Sequence, residues 1–248
     1  MTFRQHPAAR PAGLDDRTRR PSVTATAPTV TTATDRATLS TLLREGTRQV
    51  HREAETMGFI ETLMSGGFGE RGKAAYADLA AQLLAIYRAL EAASARIAAT
   101  PEGAAAEIVF AELERTPQIE QDLEHLFGAD WTAKITVLPA TARYVARLDE
   151  IDSLPRYAAH AYTRYLGDLS GGQIIRTMLQ RHYGLGDAGV SFYRFEGIEK
   201  AKVFKDVYRE RLDAIRFDDE GRAAVVAEAQ EAFRLNQALF AELGDIHL

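Results

Sequence analysis

Apolar side chains recur every three or four positions along most of the chain beyond residue 40. Two long stripes carry this pattern most clearly: one comprises Tyr76, Leu79, Ala80, Leu83, Tyr87 and Leu90, and the other comprises Val225, Val226, Ala229, Phe233, Asn236, Leu239, Phe240 and Leu243. This spacing gathers the apolar side chains of each stripe on one face of a helix. No segment shows convincingly the alternation of apolar and polar residues that is typical of strands. The sequence therefore predicts an all-α protein.

Glycine and proline residues divide the helical region into about eight predicted helices. The first of these is predicted to begin at Ser40, a residue type that caps helix N-termini well. The breaks fall at residues 66–69, Pro101, Thr116-Pro117, Gly128, Pro139, Pro155 and residues 184–189. Because connections this short keep successive helices close in space, we expect a single compact multi-helix domain over residues 39–248, with a cleft between helices.

The N-terminal residues differ from the rest in composition. Residues 1–40 contain nine threonines and four of the eight prolines, and six arginines against three aspartates give them a charge of +3. Such a segment, without helical or strand periodicity, predicts a disordered Thr/Pro/Arg-rich tail at residues 1–38.

Composition excludes several classes of function. The formal charge of −5 and the isoelectric point near 5.7 argue against a nucleic-acid partner. With no cysteine in the chain, disulfides, thiolate nucleophiles and Cys-ligated metal sites are excluded. No apolar run is long enough for a membrane anchor, so we expect a soluble, cytoplasmic protein. Any metal chemistry must therefore use His, Asp, Glu or a prebuilt cofactor.

One face of the opening helix combines two cations, an imidazole and a carboxylate: Arg44, Arg48, His51 and Glu55. Their spacing of four, three and four residues places them on the same side of a helix. A neutral imidazole can bind a metal through one ring nitrogen while a carboxylate one turn on accepts a hydrogen bond from the other. The two arginines would suit a dianionic ligand. An ordinary solvated face with ion pairs explains the same pattern and stays open.

Three glycines interrupt a second helical segment within six residues: Gly167, Gly171 and Gly172. Each costs a helix about 1 kcal/mol relative to alanine, so the cluster needs a physical reason, such as a kink or backbone that approaches a flat ligand. Asp168 lies between the glycines, where it could hold ordered water above such a ligand. Close helix packing and a glycine-capped helix end stay open as alternatives, whereas a phosphate loop lacks the required spacing and preceding strand.

A third segment concentrates positive charge in an otherwise acidic body: Lys200, Lys202, Lys205 and Arg209, together with Tyr208. Lys205 and Arg209 lie one turn apart and share a helix face. A solvated helix face is the alternative interpretation.

The segment Ala159–Gln173, AHAYTRYLGDLSGGQ, closely resembles the distal-helix signature of the haem oxygenase family. Weaker matches occur in the expected order at LLREGTRQVHREAE, ERTPQIEQDLEHLFG, RYVARLDEI, VFKDVYRERLD and EAFRLNQALFAEL, and together they cover about residues 39–243. The resemblance implies a fold in which haem b is sandwiched between a proximal first helix and a kinked, Gly-rich distal helix.

The resemblance also implies roles for residues on the proximal side. His51 matches the axial ligand of the haem iron, and Glu55 matches the carboxylate that orients its ring. The expected contacts to the haem propionates are Arg44, Arg48, Tyr162, Lys205 and Arg209. Arg44 and Arg48 fall where the family commonly has lysines, which makes their contacts less certain than those of Lys205 and Arg209. Spacing alone leaves His160 open as an alternative axial ligand, but the family's proximal histidine lies on the first helix and is followed by a glutamate, as His51 is.

On the distal side, Gly167, Gly171 and Gly172 match the glycines whose missing side chains let backbone lie on the haem. Asp168 matches the residue that organises distal water, and Arg164 an arginine linked to that water. The reaction implied is cleavage of protohaem, both cofactor and substrate, to biliverdin, carbon monoxide and ferrous iron. It needs O₂ and electrons from an external donor, a ferredoxin or an NAD(P)H-dependent reductase. A haem carrier that never degrades its ligand and an all-α interaction module without haem are the alternatives.

Overall fold

The computed structural model describes residues 36–248. Within this range the regular structure is helical, with eleven α-helices: α1 Leu39–Gly46, α2 Arg48–Glu55, α3 Gly58–Ser65, α4 Gly72–Ala98, α5 Pro101–Ala106, α6 Thr116–Phe127, α7 Pro139–Asp149, α8 Leu154–Ala161, α9 Gln173–Tyr183, α10 Ala201–Ala214 and α11 Asp219–His247. Two π-helical segments, Tyr162–Leu166 and Asp168–Gly172, join α8 to α9. The described residues contain no strand, which confirms the all-α prediction.

Proline and glycine set most of the helix boundaries. Four helices carry a proline in their first turn, where the missing N–H would have no helical partner: α5, α6, α7 and α8. Gly184 ends α9 with a φ of +62°, a backbone conformation that favours glycine. The predicted breaks at these positions are confirmed.

The opening helix differs from its prediction in two ways. Its N-cap is Thr38, whose hydroxyl accepts a hydrogen bond from the Thr41 amide, and Ser40 instead donates to Asp213 on α10. The helix also breaks at Thr47, so that α1 and α2 are separate. The Thr47 hydroxyl donates to the Leu43 carbonyl at 2.7 Å, a contact that bends helices. This break, directly after Gly46, is one of several unpredicted breaks that raise the number of α-helices above the predicted eight.

The core forms around α4 and α11. All members of the first apolar stripe, on α4, are buried, and α4 packs against α6, α7 and α8. On α11 the stripe divides: Val225, Ala229, Leu239 and Leu243 are buried, whereas Phe233, Asn236 and Phe240 line a cavity. Residues 37–248 form one unit. The predicted tail, residues 1–38, lies outside the described residues except for its last three.

Candidate active site

The cavity that Phe233, Asn236 and Phe240 of α11 line has the short helix α2 as one of its walls. His51 lies at the middle of α2 and lines the cavity together with Ala54 and Glu55. The His51 Nδ1 atom is 3.4 Å from the Glu55 carboxylate one turn later, and the His51 side chain is 51% exposed. A ring with one nitrogen turned towards a carboxylate and an accessible surface is suited to bind a metal through its other nitrogen. Phe233 of α11 contacts the ring edge-on, with 5.4 Å between ring centroids.

Bare backbone of the π-helical segments supplies a second wall. Gly167 and Gly171 line the cavity, and a Cβ atom at either position would meet no atom within 4 Å. Gly172 lines it too, but there a Cβ would lie 2.9 Å from Cδ1 of Tyr193, so close packing of Tyr193 accounts for this glycine. The kink expected from the sequence takes the form of π-helical turns, which are common at functional sites.

A buried polar network adjoins the glycines, and its members Arg164, Asp168 and Asn236 also line the cavity. The Asp168 carboxylate accepts a hydrogen bond from the Tyr87 hydroxyl. The Arg164 guanidinium donates to the same hydroxyl at 3.3 Å and to Oδ1 of Asn236 at 3.0 Å. Among the described residues Asp168 forms no ion pair within 4.0 Å, so its carboxylate is held by a hydroxyl and not by a cation. Three helical segments distant in sequence thus meet at Asp168.

Burial dominates the protonation of this network. It raises the pKa of Asp168, although Arg164 and the Tyr87 hydrogen bond oppose the shift. Burial also holds the pKa of Tyr87 well above its usual value, so Tyr87 stays protonated and remains a donor. For Arg164, burial opposes the charge, but Tyr87 and Asp168 outweigh burial and raise the pKa. The site therefore places a permanent cation beside a carboxyl group that binds protons more readily than an exposed aspartate.

Sequence reasoning missed Tyr87 and Asn236, because both were counted among the apolar stripes of α4 and α11. The signal was present, since each carries a polar group within an otherwise apolar face. A buried polar group must find a hydrogen-bond partner, and that requirement could have drawn attention to both residues.

Positively charged side chains line one side of the cavity, where a second cavity adjoins it. The second cavity shares His51, Gly167 and Gly171 with the first, and its lining adds Arg44, Arg48, Tyr162 and Arg209. Lys205 is adjacent to the second cavity, because its Nζ donates to the hydroxyl of Ser170, a lining residue, at 2.7 Å. Partial burial is the main cause that lowers the pKa of Lys205, and the nearby charge of Arg209 lowers it further. Lys200 and Lys202 of the predicted basic segment line neither cavity.

His160, the alternative metal ligand, lies away from the cavity. Its side chain is fully buried, and Nε2 is 2.9 Å from the Glu228 carboxylate, which Arg147 of α7 also binds. Burial lowers the pKa of His160. A neutral imidazole enclosed in this way serves the packing of α8 against α11 and is not available to a ligand in the cavity.

The arrangement is suited to a flat apolar ligand that carries a metal at its centre and acidic groups at one edge. Its apolar lining includes Met64, Leu83, Ile175 and Phe240, and its cations lie on one side. A family model described as "Heme oxygenase" matches residues 37–242. The chain belongs to the haem oxygenase family.

Similar proteins from several lineages agree with this assignment. "Heme oxygenase 1" of Synechocystis is 36% identical over 83% of this chain and 84% of its own length. "Heme oxygenase" of Takifugu rubripes is 41% identical over 83% of this chain and 74% of its own length. The crystal structure of Synechocystis heme oxygenase-1 in complex with heme has a TM-score of 0.79 at 35% identity, covering 85% of this chain and 94% of that one. The heme oxygenase of Leptospira interrogans has a TM-score of 0.77 at 35% identity, covering 83% and 100%.

In the part of the chain that the structure describes, no helix combines the length and the apolar character needed to cross a bilayer.

Proposed function

We propose that the protein is a haem oxygenase that cleaves protohaem with O₂ and electrons to biliverdin, carbon monoxide and ferrous iron. The observation that carries this proposal is a single cavity lined on one wall by a half-exposed histidine and on another by bare glycine backbone. Bound haem supplies the iron that activates oxygen and the ring that is opened, and it is therefore cofactor and substrate at once.

On the proximal wall His51 would hold the haem iron through its imidazole. The Glu55 carboxylate lies 3.4 Å from Nδ1, where a hydrogen bond from that nitrogen would fix the ring orientation and make the other nitrogen a better ligand. Neutral histidine, unlike a thiolate, does not push electron density towards cleavage of the O–O bond.

The edge of the cavity binds the propionates of haem. Arg44, Arg48, Tyr162 and Arg209 line it, and Lys205 reaches it once its ammonium group leaves Ser170. Two propionates need only a few cationic partners, so which of these cations bind them would set the orientation of haem in the cavity.

On the distal wall Gly167 and Gly171, which carry no side chain, would let backbone lie against the ring of the bound haem. Asp168 holds the water that delivers protons, and it keeps its position through Tyr87 and Arg164. Burial raises the pKa of Asp168, so its carboxyl group binds a proton more readily than an exposed aspartate does. A carrier has no use for such a group.

Electrons come from an external redox protein, a ferredoxin or an NAD(P)H-dependent reductase, in the cytoplasm. The cations on one side of the cavity provide a surface for an acidic partner.

Turnover with product identification tests the proposal. The purified chain is mixed with hemin, a ferredoxin, its reductase and NADPH under air, with the His51→Ala variant as control. We expect the Soret absorption to disappear, biliverdin to be identified by mass spectrometry, and carbon monoxide to be detected in the headspace by gas chromatography. A stable Soret band with bound hemin would instead indicate a carrier, and no hemin binding would indicate an interaction module.

A further inference from the structure

The helix that carries His51 is short and weakly anchored by its own sequence. The break at Thr47 leaves α2 with eight residues and no side-chain cap at its N-terminus. Helices of this length are marginal by themselves, so the position of α2 must be set by its neighbours. The neighbour with the closest association is α11.

Two glutamines of α11 hold the backbone on either side of this break. The Gln230 amide donates to the Gly46 carbonyl at 2.8 Å, at the end of α1. The Gln237 amide donates to the Val50 carbonyl, also at 2.8 Å, one residue before His51. Since a carbonyl can only accept, the amide nitrogen must face it in both cases.

Phe233 lies between the two glutamines on the same face of α11. Residues 230, 233 and 237 are spaced by three and four positions, and therefore project towards α1 and α2 together. Phe233 contacts the His51 ring from the side, while Gln237 fixes the backbone beside it. A side-on ring contact restricts tilt, but it does not stop α2 from sliding or rotating.

We propose that Gln237 is a positioning residue for the axial histidine. Its hydrogen bond to the Val50 carbonyl fixes how far α2 can slide along α11 and how it is rotated about its own axis. It thereby fixes where the His51 imidazole lies relative to Gly167 and Gly171. The inference rests on the proposed function in one respect, that His51 binds the haem iron. Gln237 itself does not line the cavity, so it acts only through α2.

The bond matters for binding because it orders α2 before haem arrives. Without it, the ordering of α2 must be completed during binding, which weakens affinity. A typical net contribution of one hydrogen bond corresponds to a roughly two- to tenfold increase in the dissociation constant for hemin.

Gln230 provides a matched control. Its hydrogen bond has the same length, comes from the same helix and ends on a backbone carbonyl, but on the α1 side of the break. A purely structural role predicts similar consequences for Gln230→Met and Gln237→Met. A positioning role predicts that only Gln237→Met alters the iron–histidine bond.

The test compares the full chain with Gln237→Met, Gln230→Met and Gln237→Lys, whose ammonium group can reach the same carbonyl. Resonance Raman spectra of the ferrous hemin complexes report the iron–histidine stretching band, and hydrogen exchange of the haem-free proteins reports the order of α2. We expect Gln237→Met to shift or broaden the band, to weaken hemin binding and to speed exchange in α2. Gln230→Met should keep the wild-type band, and Gln237→Lys should restore it.

Equal bands in the wild type and Gln237→Met, with equal exchange in α2, would overturn the inference and leave the proposed function intact. Equal changes in Gln230→Met and Gln237→Met would also overturn it. If the wild-type complex lacks a His51-dependent band, the proposed function and this inference are both wrong.

Discussion

The two walls of the cavity are built in opposite ways. The proximal wall has exposed chemistry on a short helix, with His51 51% and Glu55 65% exposed in their side chains. The distal wall combines bare glycine backbone with buried polar side chains, and Asp168 is only 8% exposed and hydrogen-bonded to Tyr87 of the distant helix α4. A change on the proximal wall should therefore act locally on the iron. A change in the buried polar network of the distal wall should alter protonation and the course of the reaction while haem stays bound.

The largest effect is expected for His51→Ala. Removal of the imidazole should abolish the histidine-ligated spectrum of the hemin complex and reduce biliverdin formation below detection. Glu55→Gln keeps the histidine ligand and should lower biliverdin formation roughly tenfold, as is typical when the partner of a ligating histidine is altered. Optical and EPR spectra with and without added imidazole check the assignment. A histidine-ligated spectrum in His51→Ala would mean that another residue binds the iron.

Asp168→Asn should separate binding from reaction. The amide can accept the hydrogen bond from Tyr87 but cannot carry a proton, so hemin affinity should stay within about twofold while biliverdin yield falls roughly a hundredfold. The lost turnover should be diverted to peroxidase-type oxidation of an added phenol. Product analysis and a guaiacol assay measure both branches, and a normal biliverdin yield would contradict the role given to Asp168.

Gly171→Leu should obstruct the cavity itself. Nothing lies within 4 Å of a Cβ at this position, so the new side chain projects into open cavity space, and hemin affinity should fall roughly tenfold. Gly186→Leu is the matched control, because its Cβ also meets nothing within 4 Å but the residue lies outside the cavity. Hemin titrations compare the two variants. Equal affinities would show that Gly171 backbone does not lie against haem.

Tyr87→Phe should have a smaller effect and show it through pH. The Tyr87 hydrogen bond lowers the pKa of Asp168 against the larger effect of burial, so its loss raises that pKa further. The limb of the turnover profile that reports Asp168 should move to higher pH, with only a several-fold loss of turnover at neutral pH. Turnover measured across pH 5–9 checks this, and an unmoved limb would separate Tyr87 from Asp168.

The smallest effect concerns stability. Because folding raises the pKa of Asp168, the carboxylate destabilises the folded state above that pKa, and the penalty vanishes below the unfolded value. Asp168→Asn should therefore raise the melting temperature at pH 7 by roughly 2–4 °C, and the difference should shrink as the pH falls. Calorimetry of the haem-free proteins at pH 4.5 and pH 7 measures it. A variant less stable at pH 7 would indicate that Arg164 and Tyr87 outweigh burial.

The two walls also differ in how far the sequence predicts them. His51 and Glu55 interact within one helical turn, so their spacing alone suggests the pair. The glycines and Asp168 lie within six residues of one another, so the local sequence alone predicts them as part of one site. Tyr87, Asn236 and the buried state of His160 depend on contacts between α4, α8 and α11, which are distant in sequence and which local periodicity does not encode. Local periodicity does not predict the break at Thr47, where the threonine hydroxyl donates back to the Leu43 carbonyl directly after Gly46.

A crystal structure of the hemin complex tests the central claim most directly. We expect Nε2 of His51 to coordinate the iron, and the backbone of Gly167 and Gly171 to lie against the opposite face of the ring. Iron bound by any other residue, or a bulky side chain between the ring and those glycines, would contradict the account.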